Sequence, residues 1–357
     1  MIDSNPTSLT VRPSISDSAS PPTADSVVAQ TLAGRVRQCV GEELSQVEKL
    51  LRDATASRYS EVEQLCRSAA AMGGKRLRPT LVLLSAQAIA GQSLNHREQH
   101  DLAAISAAVE LVHAASLVHD DVMDGAMQRR HQTTIVGQAG NSAAVLLGDL
   151  LFTHAYALAA RCRSTLPARR IAAAATQLCA GELRQQASAG CWGMSHRTYR
   201  SLLLQKTGAL CRVSSQLGCW RAGGDRAQTR GLARFGSQLG LAFQIHDDWL
   251  DYWGTEQVGK TLGTDLAQAK PTLPLIRLLK TVSPRERERL VAQLDAGGPD
   301  DLAAVRASLD RSDAGRYTLA TARKLARRAQ RQLDVLPDSA AKDCLIALAE
   351  YSVQREV

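Results

Sequence analysis

The sequence contains the motif Asp-Asp-x-x-Asp twice, each time at the end of an apolar stretch with helical spacing; the six carboxylates are those of Asp120, Asp121, Asp124, Asp247, Asp248 and Asp251. Residues four apart stack on one face of a helix, so the first and last carboxylates of each motif project together and repel. The C-terminal end of a helix disfavours anions further. Carboxylate-rich, all-oxygen sites suit Mg²⁺, which also shares phosphate oxygens of a substrate. One copy would be explained by a solvated acidic helix end, but two copies favour a metal site.

Basic residues near Gly and Pro could complement such a site by binding phosphate. Lys75 and Arg78 follow Gly73-Gly74 and precede an apolar helix, where cationic side chains and a helix N-terminus together attract anions. The remaining candidates are Arg129, Arg130, Lys206, Thr207, Lys260 and Lys270. Solvated surface charge explains most arginines in the C-terminal third.

Three other patterns have simpler explanations. His119 and His246 lie on apolar helices and are expected to be core residues, whereas His113, two turns before Asp120, could be either a core or a site residue. Residues 254–261 match the P-loop pattern, but they follow an acidic helix rather than a buried strand, which argues against nucleotide hydrolysis. Cys191 and His196 lack the second ligand pair of a zinc site.

The composition is that of a globular chain with an anionic partner. The 357 residues are 45% hydrophobic and 22% charged, with a formal net charge of +8. This charge favours nucleic acid, acidic lipid or phosphorylated small molecules, without deciding among them. The eight scattered cysteines are typical of reduced thiols in a cytosolic protein. We expect no secretory signal and no bilayer-spanning segment.

The hydrophobic spacing predicts an all-α fold, a single large helical bundle of ten or more helices. Residues 1–24, rich in Ser, Thr, Pro and Asp, are expected to form a disordered tail, and residues 25–357 one domain. The strongest helical patterns cover residues 28–51, 102–124, 142–160, 171–187, 232–252 and 345–353. No strands or hairpins are expected.

Taken together, these residues resemble the trans-isoprenyl diphosphate synthase family, over residues 73–354. The motifs occur in the family's order: Gly-Gly-Lys-x-x-Arg-Pro, the first acidic motif with its Arg pair, Gly140-Asn141 with Gly148-Asp149, Gly181-Glu182-x-x-Gln185, Lys206-Thr207, the second acidic motif after Phe243-Gln244, and Gly259-Lys260 through Lys270. The C-terminal segment, with Tyr351 and Arg355, is most similar to long-chain, octaprenyl-type members.

The resemblance implies a prenyltransferase of the isoprenoid synthase fold that adds isopentenyl diphosphate to an allylic diphosphate. The six aspartates would hold Mg²⁺, three ions with substrate bound, with Asp120, Asp124 and Asp247 as the main ligands. The allylic diphosphate, farnesyl or geranylgeranyl, would be bound by Arg129, Lys206, Thr207, Gln244 and Lys260. Isopentenyl diphosphate would be bound by Lys75, Arg78, His113 and Arg130, and Lys270 would assist the second motif. Among these, Asp120, Asp121, Asp124, Arg129, Lys206, Asp247 and Lys260 are the expected catalytic residues.

Departures from the family pattern are His131 and Ala269 in place of Gly, and Thr264 in place of Asp. The helix face behind Asp120 consists of Ser116, Ala115, Val112 and Ala108, with no bulky aromatic to stop chain growth. This face predicts a long product, for which Phe152 and Tyr156 could form the floor of the tunnel.

Alternative interpretations remain open at this point. They are a short-chain farnesyl or geranylgeranyl diphosphate synthase, a non-catalytic subunit of a heteromeric synthase, and a class I terpene cyclase, which should lack the Lys75 motif and the second acidic motif. A nucleic-acid partner is not expected. The resemblance further implies a homodimer in the cytoplasm, with room for a peripheral membrane contact during product release, and a role in supplying quinone side chains.

Overall fold

The computed structural model describes residues 24–71, 74–90, 94–129, 132–254 and 263–355. Within these ranges the chain is a helical bundle, as predicted. Residues 1–23 of the predicted tail, together with Arg130, His131 and Lys260, lie outside them.

The helices are α1 (Ala24–Ala54), α2 (Ser60–Ala71), α3 (Leu77–Ala90), α4 (His96–Met123), α5 (Ile135–Ala160), α6 (Leu166–Gln186), α7 (His196–Leu203), α8 (Ala209–Arg221), α9 (Arg226–Trp253), α10 (Thr264–Ala267), α11 (Leu273–Thr281), α12 (Pro284–Ala296), α13 (Pro299–Arg311), α14 (Ala314–Arg331) and α15 (Ala340–Tyr351). A π-helical turn, Leu204–Gly208, joins α7 to α8, and a 3₁₀ turn, Gln332–Val335, follows α14. One small hairpin was not predicted: β1 (Gln128–Arg129) pairs with β2 (Gln132–Thr133).

The two helices that carry the acidic motifs, α4 and α9, begin in the same way. Asn95 caps α4 by accepting from the backbone of Glu98, whose side chain bonds back to Asn95. Asp225 and Gln228 form the same reciprocal pair at the start of α9. Such capping boxes satisfy backbone donors that a helix start leaves free, so both helices are anchored at the ends opposite their motifs.

These capped ends lie together at one end of the bundle, which we call the base. Arg221, the last residue of α8, bonds to Asp101 and Glu98 near the start of α4, and α9 begins five residues later. The opposite end, which we call the mouth, holds both acidic motifs. Along α4 the distance from Asp101 to Asp120 is about 30 Å, at 1.5 Å per residue.

The core around α4 consists of small and branched apolar residues and permits very close helix contacts. Ala107, Ala108 and Leu111 are 0% exposed. Where α8 crosses α3, a Cβ added at Gly218 would lie 2.0 Å from the carbonyl oxygen of Val82. This distance is far below van der Waals contact, so only glycine allows the crossing.

We expected no segment long and apolar enough to span a bilayer. This expectation was wrong, because α4 and α5 are both long and apolar enough, judged by length and composition alone. In α4, 83% of the most apolar 18-residue stretch is buried within the bundle, which is typical of a core helix. In α5 only 39% is buried, and Val145 and Leu146 are exposed. The apolar face of α5 is therefore largely uncovered in the single chain.

Candidate active site

The first acidic motif ends α4 in a partly buried position beside basic residues. Asp121 is 0% exposed and accepts a hydrogen bond from Nε of Arg129 at 2.8 Å. Its Oδ2 has no hydrogen-bond partner among the described residues. Burial raises the pKa of Asp120 to about 6; nearby Glu182 and Asp124 raise it too, against Lys206 and Arg129. The side chains of the protein thus compensate the negative charge of this motif only in part.

Lys206 faces this motif from the π-helical turn. Its Nζ lies 2.7 Å from Oε2 of Glu182 and 2.9 Å from Oε1 of Gln185. Burial opposes its charge, but Asp120 and Glu182 raise the pKa of Lys206 above its usual value. The turn can approach α6 because position 181 is glycine: an added Cβ would lie 2.8 Å from the backbone nitrogen of Lys206. A π turn widens the helix and is frequent at functional sites.

The second motif is tied to the same turn by a chain of hydrogen bonds. Thr207 Oγ1 donates to Oε1 of Gln244 at 3.0 Å, and Nε2 of Gln244 donates to Oδ1 of Asp248 at 3.1 Å. The hydroxyl of Tyr199 donates to the other oxygen of Asp248. Burial raises the pKa of Asp248 to about 6, against these two hydrogen bonds. These hydrogen bonds fix the orientation of the Gln244 amide.

The other two carboxylates of the second motif have partners from later in the sequence. Asp247 Oδ1 accepts from Nη2 of Arg355 at 2.7 Å. Asp251 accepts from the backbone and hydroxyl of Thr264, at 3.2 and 2.5 Å, and from the backbone of Asp265 at 3.0 Å. The departure at Thr264 therefore supplies a donor to Asp251. Ala269 has a φ of 50°, a left-handed conformation that the glycine of the family pattern adopts more easily.

Lys270 lies between the two acidic motifs, but its side chain contacts the first motif and not, as expected, the second. Its Nζ lies 3.4 Å from Oδ1 of Asp124 in the first motif, whereas it was expected to assist the second. Its backbone nitrogen donates to the carbonyl of Asp265, at 2.8 Å, next to the second motif. The residue thus contacts the first motif through its side chain and lies beside the second through its backbone.

The expected isopentenyl diphosphate residues lie at the start of α3 and on α4. Lys75 precedes α3 and donates to the hydroxyl of Tyr351 at 2.6 Å. Arg78 has a buried Nε without a partner in the described residues. Buried Glu110 pairs with Arg76 at 3.1 Å, and the charge of Arg78 also acts on Glu110. His113 is half-buried, three residues further along α4.

The prediction that His246 is a packed core residue agrees with its burial, whereas His119 is only half-buried, with its Nε2 3.8 Å from Oδ1 of Asp149. His246 Nε2 lies 2.7 Å from the carbonyl oxygen of Arg355, and the ring stacks on Trp249. His119 lies against Phe152, whose ring is stacked on that of Tyr156. Phe152 and Tyr156 therefore project from α5 behind the first motif.

Several residues of the mouth had no role assigned from the sequence. Glu182, Gln185, Tyr351 and Arg355 belong to motifs quoted above, so their motif membership was a usable signal. For Tyr199 and Asp265 the sequence offered no such signal, because only the folded chain brings them next to the second motif. Burial raises the pKa of Asp265 well above its usual value, and Asp248 and Asp251 raise it further.

The donor set fits metal ions that share ligands with a substrate. Among the described residues, no three His, Cys, Asp or Glu side chains are grouped closely enough to hold a metal ion by themselves. The carboxylates are instead divided between the ends of two helices, with the side chains of Lys206 and Lys270 beside those of the first motif. The unpartnered Oδ2 of Asp121 and the raised pKa of Asp120 indicate unsatisfied negative charge. Mg²⁺ is usually bound by one or two carboxylates plus substrate phosphates, which this arrangement permits.

Comparisons with known proteins agree with this geometry. The sequence profile "Polyprenyl synthetase" matches residues 59–310. The chain is 34% identical to the octaprenyl diphosphate synthase of Haemophilus influenzae, covering 79% of this chain and 85% of that protein. It is 35% identical to heptaprenyl diphosphate synthase component 2 of Geobacillus stearothermophilus, covering 89% and 97%. It is 32% identical to a short chain isoprenyl diphosphate synthase of Methanothermobacter thermautotrophicus, covering 80% and 87%.

Solved structures have the same fold. A polyprenyl synthase from Caulobacter crescentus, complexed with calcium and isoprenyl diphosphate, superposes with a TM-score of 0.83 at 31% identity, covering 91% of this chain and 98% of that one. A decaprenyl diphosphate synthase from Rhodobacter capsulatus gives a TM-score of 0.84 at 29% identity, covering 90% and 98%.

Proposed function

The chain belongs to the polyprenyl synthetase family, and we propose that it condenses isopentenyl diphosphate head-to-tail onto an allylic diphosphate, farnesyl or geranylgeranyl, to make a long-chain all-trans polyprenyl diphosphate. The observation that carries the proposal is the placement of two complete acidic motifs at one end of the bundle, with Lys206 beside the first motif and Lys270 between the two. Octaprenyl, heptaprenyl and decaprenyl relatives support the long product.

We propose Mg²⁺ as the metal, three ions with substrate bound, held by Asp120, Asp124 and Asp247 with Asp121, Asp248 and Asp251 in support. The calcium and isoprenyl diphosphate in the Caulobacter structure support divalent metal use. When bound, the metal supplies positive charge that stabilises the departing diphosphate.

The side chains of this protein then act through binding and electrostatics. Arg129, Lys206, Thr207 and Gln244 hold the allylic diphosphate, and Lys260 would join them. As the bond from its first carbon to oxygen breaks, these donors stabilise the charge on the leaving group. Lys75, Arg78 and His113 hold isopentenyl diphosphate, whose double bond forms the new carbon–carbon bond. A proton is then lost to the released diphosphate, so no nucleophilic side chain is required.

The length of the product follows from the residues behind Asp120. Ala108, Val112 and Ala115 are 0% exposed and Ser116 is 8% exposed, and none of these side chains is bulky. The first aromatics beyond the motif on the neighbouring helix are Phe152 and Tyr156. We propose that these two rings are the first bulky side chains that the growing chain meets, which would allow a product longer than fifteen carbons. We further propose that the product supplies quinone side chains.

The uncovered apolar face of α5 supports a homodimer. Val145 and Leu146 on α5 are 42% and 69% exposed, and Leu183 on α6 is 67% exposed. Contiguous exposed apolar residues typically mark protein interfaces. The Geobacillus relative is named as one component of a synthase, which favours a heteromeric assembly as the second candidate. Mass and activity of the purified chain together distinguish the two: a homodimer has twice the mass of the chain and is active, whereas the lone component of a heteromer is inactive.

The proposed function is tested by incubating purified protein with Mg²⁺, farnesyl diphosphate and labelled isopentenyl diphosphate, and reading product length by chromatography. We expect a ladder ending in long polyprenyl diphosphates, lost with Asp120→Ala. Products that end at fifteen or twenty carbons would contradict the long-chain assignment. No incorporation with any primer or metal would indicate a non-catalytic subunit.

A further inference from the structure

A basic pocket lies at the base of the bundle, on the end opposite the acidic mouth. It is open, has a volume of about 470 Å³ and lies where α4 begins and where α5 and α8 end. Its lining includes four arginines, Arg97, Arg161, Arg163 and Arg221, together with His96 and His100. No residue of this basal pocket takes part in the proposed reaction.

The acids beside the basal pocket already have hydrogen-bond partners. Asp101, its one acidic lining residue, accepts from Nε of Arg221 at 2.8 Å, and Glu98 accepts from Nη1 of the same arginine at 3.2 Å. Asp225 caps α9 by accepting from two backbone donors. Arg221 therefore offsets one of the two negative charges at the start of α4, and Arg97, Arg161 and Arg163 are not paired with these acids.

Three arginines of the pocket remain available to a ligand. Arg97, Arg161 and Arg163 are exposed, and none forms an ion pair with any part of the chain that the structure describes. Further exposed arginines extend the positive charge over the same end, at the starts of α6 and α9: Arg169, Arg170, Arg226 and Arg230. Several guanidinium groups spread over one end suit a surface that carries many phosphates.

We propose that the base docks on a membrane surface by binding the phosphates of anionic lipid headgroups. The inference rests on the proposed function for its purpose: the hydrocarbon grows from the mouth into the core along α4, towards the base, and the finished product is insoluble in water. A base that rests on a bilayer gives this product an apolar phase at the end it grows towards. The charge complementarity itself does not depend on the reaction.

The test is flotation of the full chain, without substrate, with vesicles of phosphatidylcholine alone or mixed with phosphatidylglycerol. We expect binding only to the anionic vesicles, weakened by salt because exposed charges are screened beyond about 10 Å at 0.1 M ionic strength. Arg161→Gln/Arg163→Gln should lower the vesicle affinity roughly 30-fold. Arg97→Gln alone should lower it by a smaller factor.

The matched control removes two positive charges that do not line the basal pocket, Lys280→Gln/Arg285→Gln. Both residues are exposed and lie on α11 and α12, and this variant should keep its affinity. Equal binding to both kinds of vesicle, or equal loss in both double variants, would overturn the proposal. So would displacement by inorganic phosphate at an ionic strength where chloride has no effect, since the pocket would then bind a soluble anion.

Synthase activity measured in detergent separates the two proposals. Turnover without vesicle binding would overturn the docking surface and leave the proposed function intact. Binding to anionic vesicles by a preparation without turnover would support the docking surface and contradict the proposed function. Arg161→Gln/Arg163→Gln should keep its turnover in detergent, because these residues lie at the base.

Discussion

Arg355, the last residue that the structure describes, places its Nη2 2.7 Å from Oδ1 of Asp247, 108 residues earlier in the chain. The side chains of the pair are 12% and 23% exposed, so solvent screens their attraction incompletely. Without metal, the C-terminal segment thus occupies the first carboxylate of the second acidic motif with a cation.

Arg355 should therefore compete with the metal for Asp247. Arg355→Gln should lower the half-saturating Mg²⁺ concentration about fivefold, and destabilise the metal-free protein by about 1–2 kcal/mol because it leaves Asp247 without its partner. Magnesium titration of initial rates and denaturation in EDTA measure the two effects. Arg355→Lys is the control that keeps the charge. Unchanged magnesium dependence with a raised KM for isopentenyl diphosphate would show instead that Arg355 binds substrate.

Asp120→Asn should stabilise the metal-free protein while abolishing activity. The folded-state pKa of Asp120 is about 6, against about 4 in an unfolded chain. The contribution of protonated Asp120 to the free energy of unfolding is therefore fully present below pH ~4, and it is lost as the pH rises through ~6. The variant should gain about 1–2 kcal/mol over the wild type at pH 8 and less at pH 5. Denaturation in EDTA at both pH values checks this, with Asp334→Asn, an exposed carboxylate, as the control. A gain that does not change with pH would contradict the assignment.

Lys206→Gln should reduce kcat/KM about 100- to 1,000-fold, because it removes a preorganised cation from the leaving diphosphate. Arg184→Gln is the matched control: Arg184 contacts Gln205, next to Lys206, but its side chain is exposed. Steady-state kinetics with labelled isopentenyl diphosphate measure both variants. A loss of less than tenfold with Lys206→Gln would remove this residue from the site.

Ser116→Phe should shorten the product, because a ring would fill space one turn behind Asp120. Chromatography of the product ladder should show arrest at a lower carbon number with condensation retained. Tyr156→Ala, which removes one of the two stacked rings behind the motif, should shift the ladder to longer products. An unchanged ladder in both variants would place the growing chain along another face of α4.

Gly218→Ala should destabilise the fold by about 2–3 kcal/mol or more, because its Cβ would overlap the backbone at Val82 and push α8 from α3. Gly34→Ala is the matched control. A Cβ at Gly34 has no neighbour within 4 Å, so this variant should gain about 0.5–1 kcal/mol of helix propensity. Urea denaturation gives both values, and similar effects from the two substitutions would contradict the close crossing.

The sequence by itself determined the helices, the charge-bearing motifs and the family. Helical periodicity is a local property, so the 232–252 pattern predicted α9, and the stacking of residues four apart follows from helix geometry alone. The hairpin β1–β2 was missed because two residues per strand are too few for any periodic signal. The buried or exposed state of α5 could not be predicted, since apolar composition does not say which neighbour covers a helix.

Only the tertiary structure decided how the two motifs are connected and neutralised. The Tyr199–Asp248 and Arg355–Asp247 pairs join residues 49 and 108 positions apart, and Lys270 reaches Asp124 across 146 positions. Such distances depend on the crossings of α4, α8 and α9, and these depend on side-chain volumes at contacts such as Gly218–Val82. Local propensity carries no information about those contacts, whereas the packed bundle determines each of them.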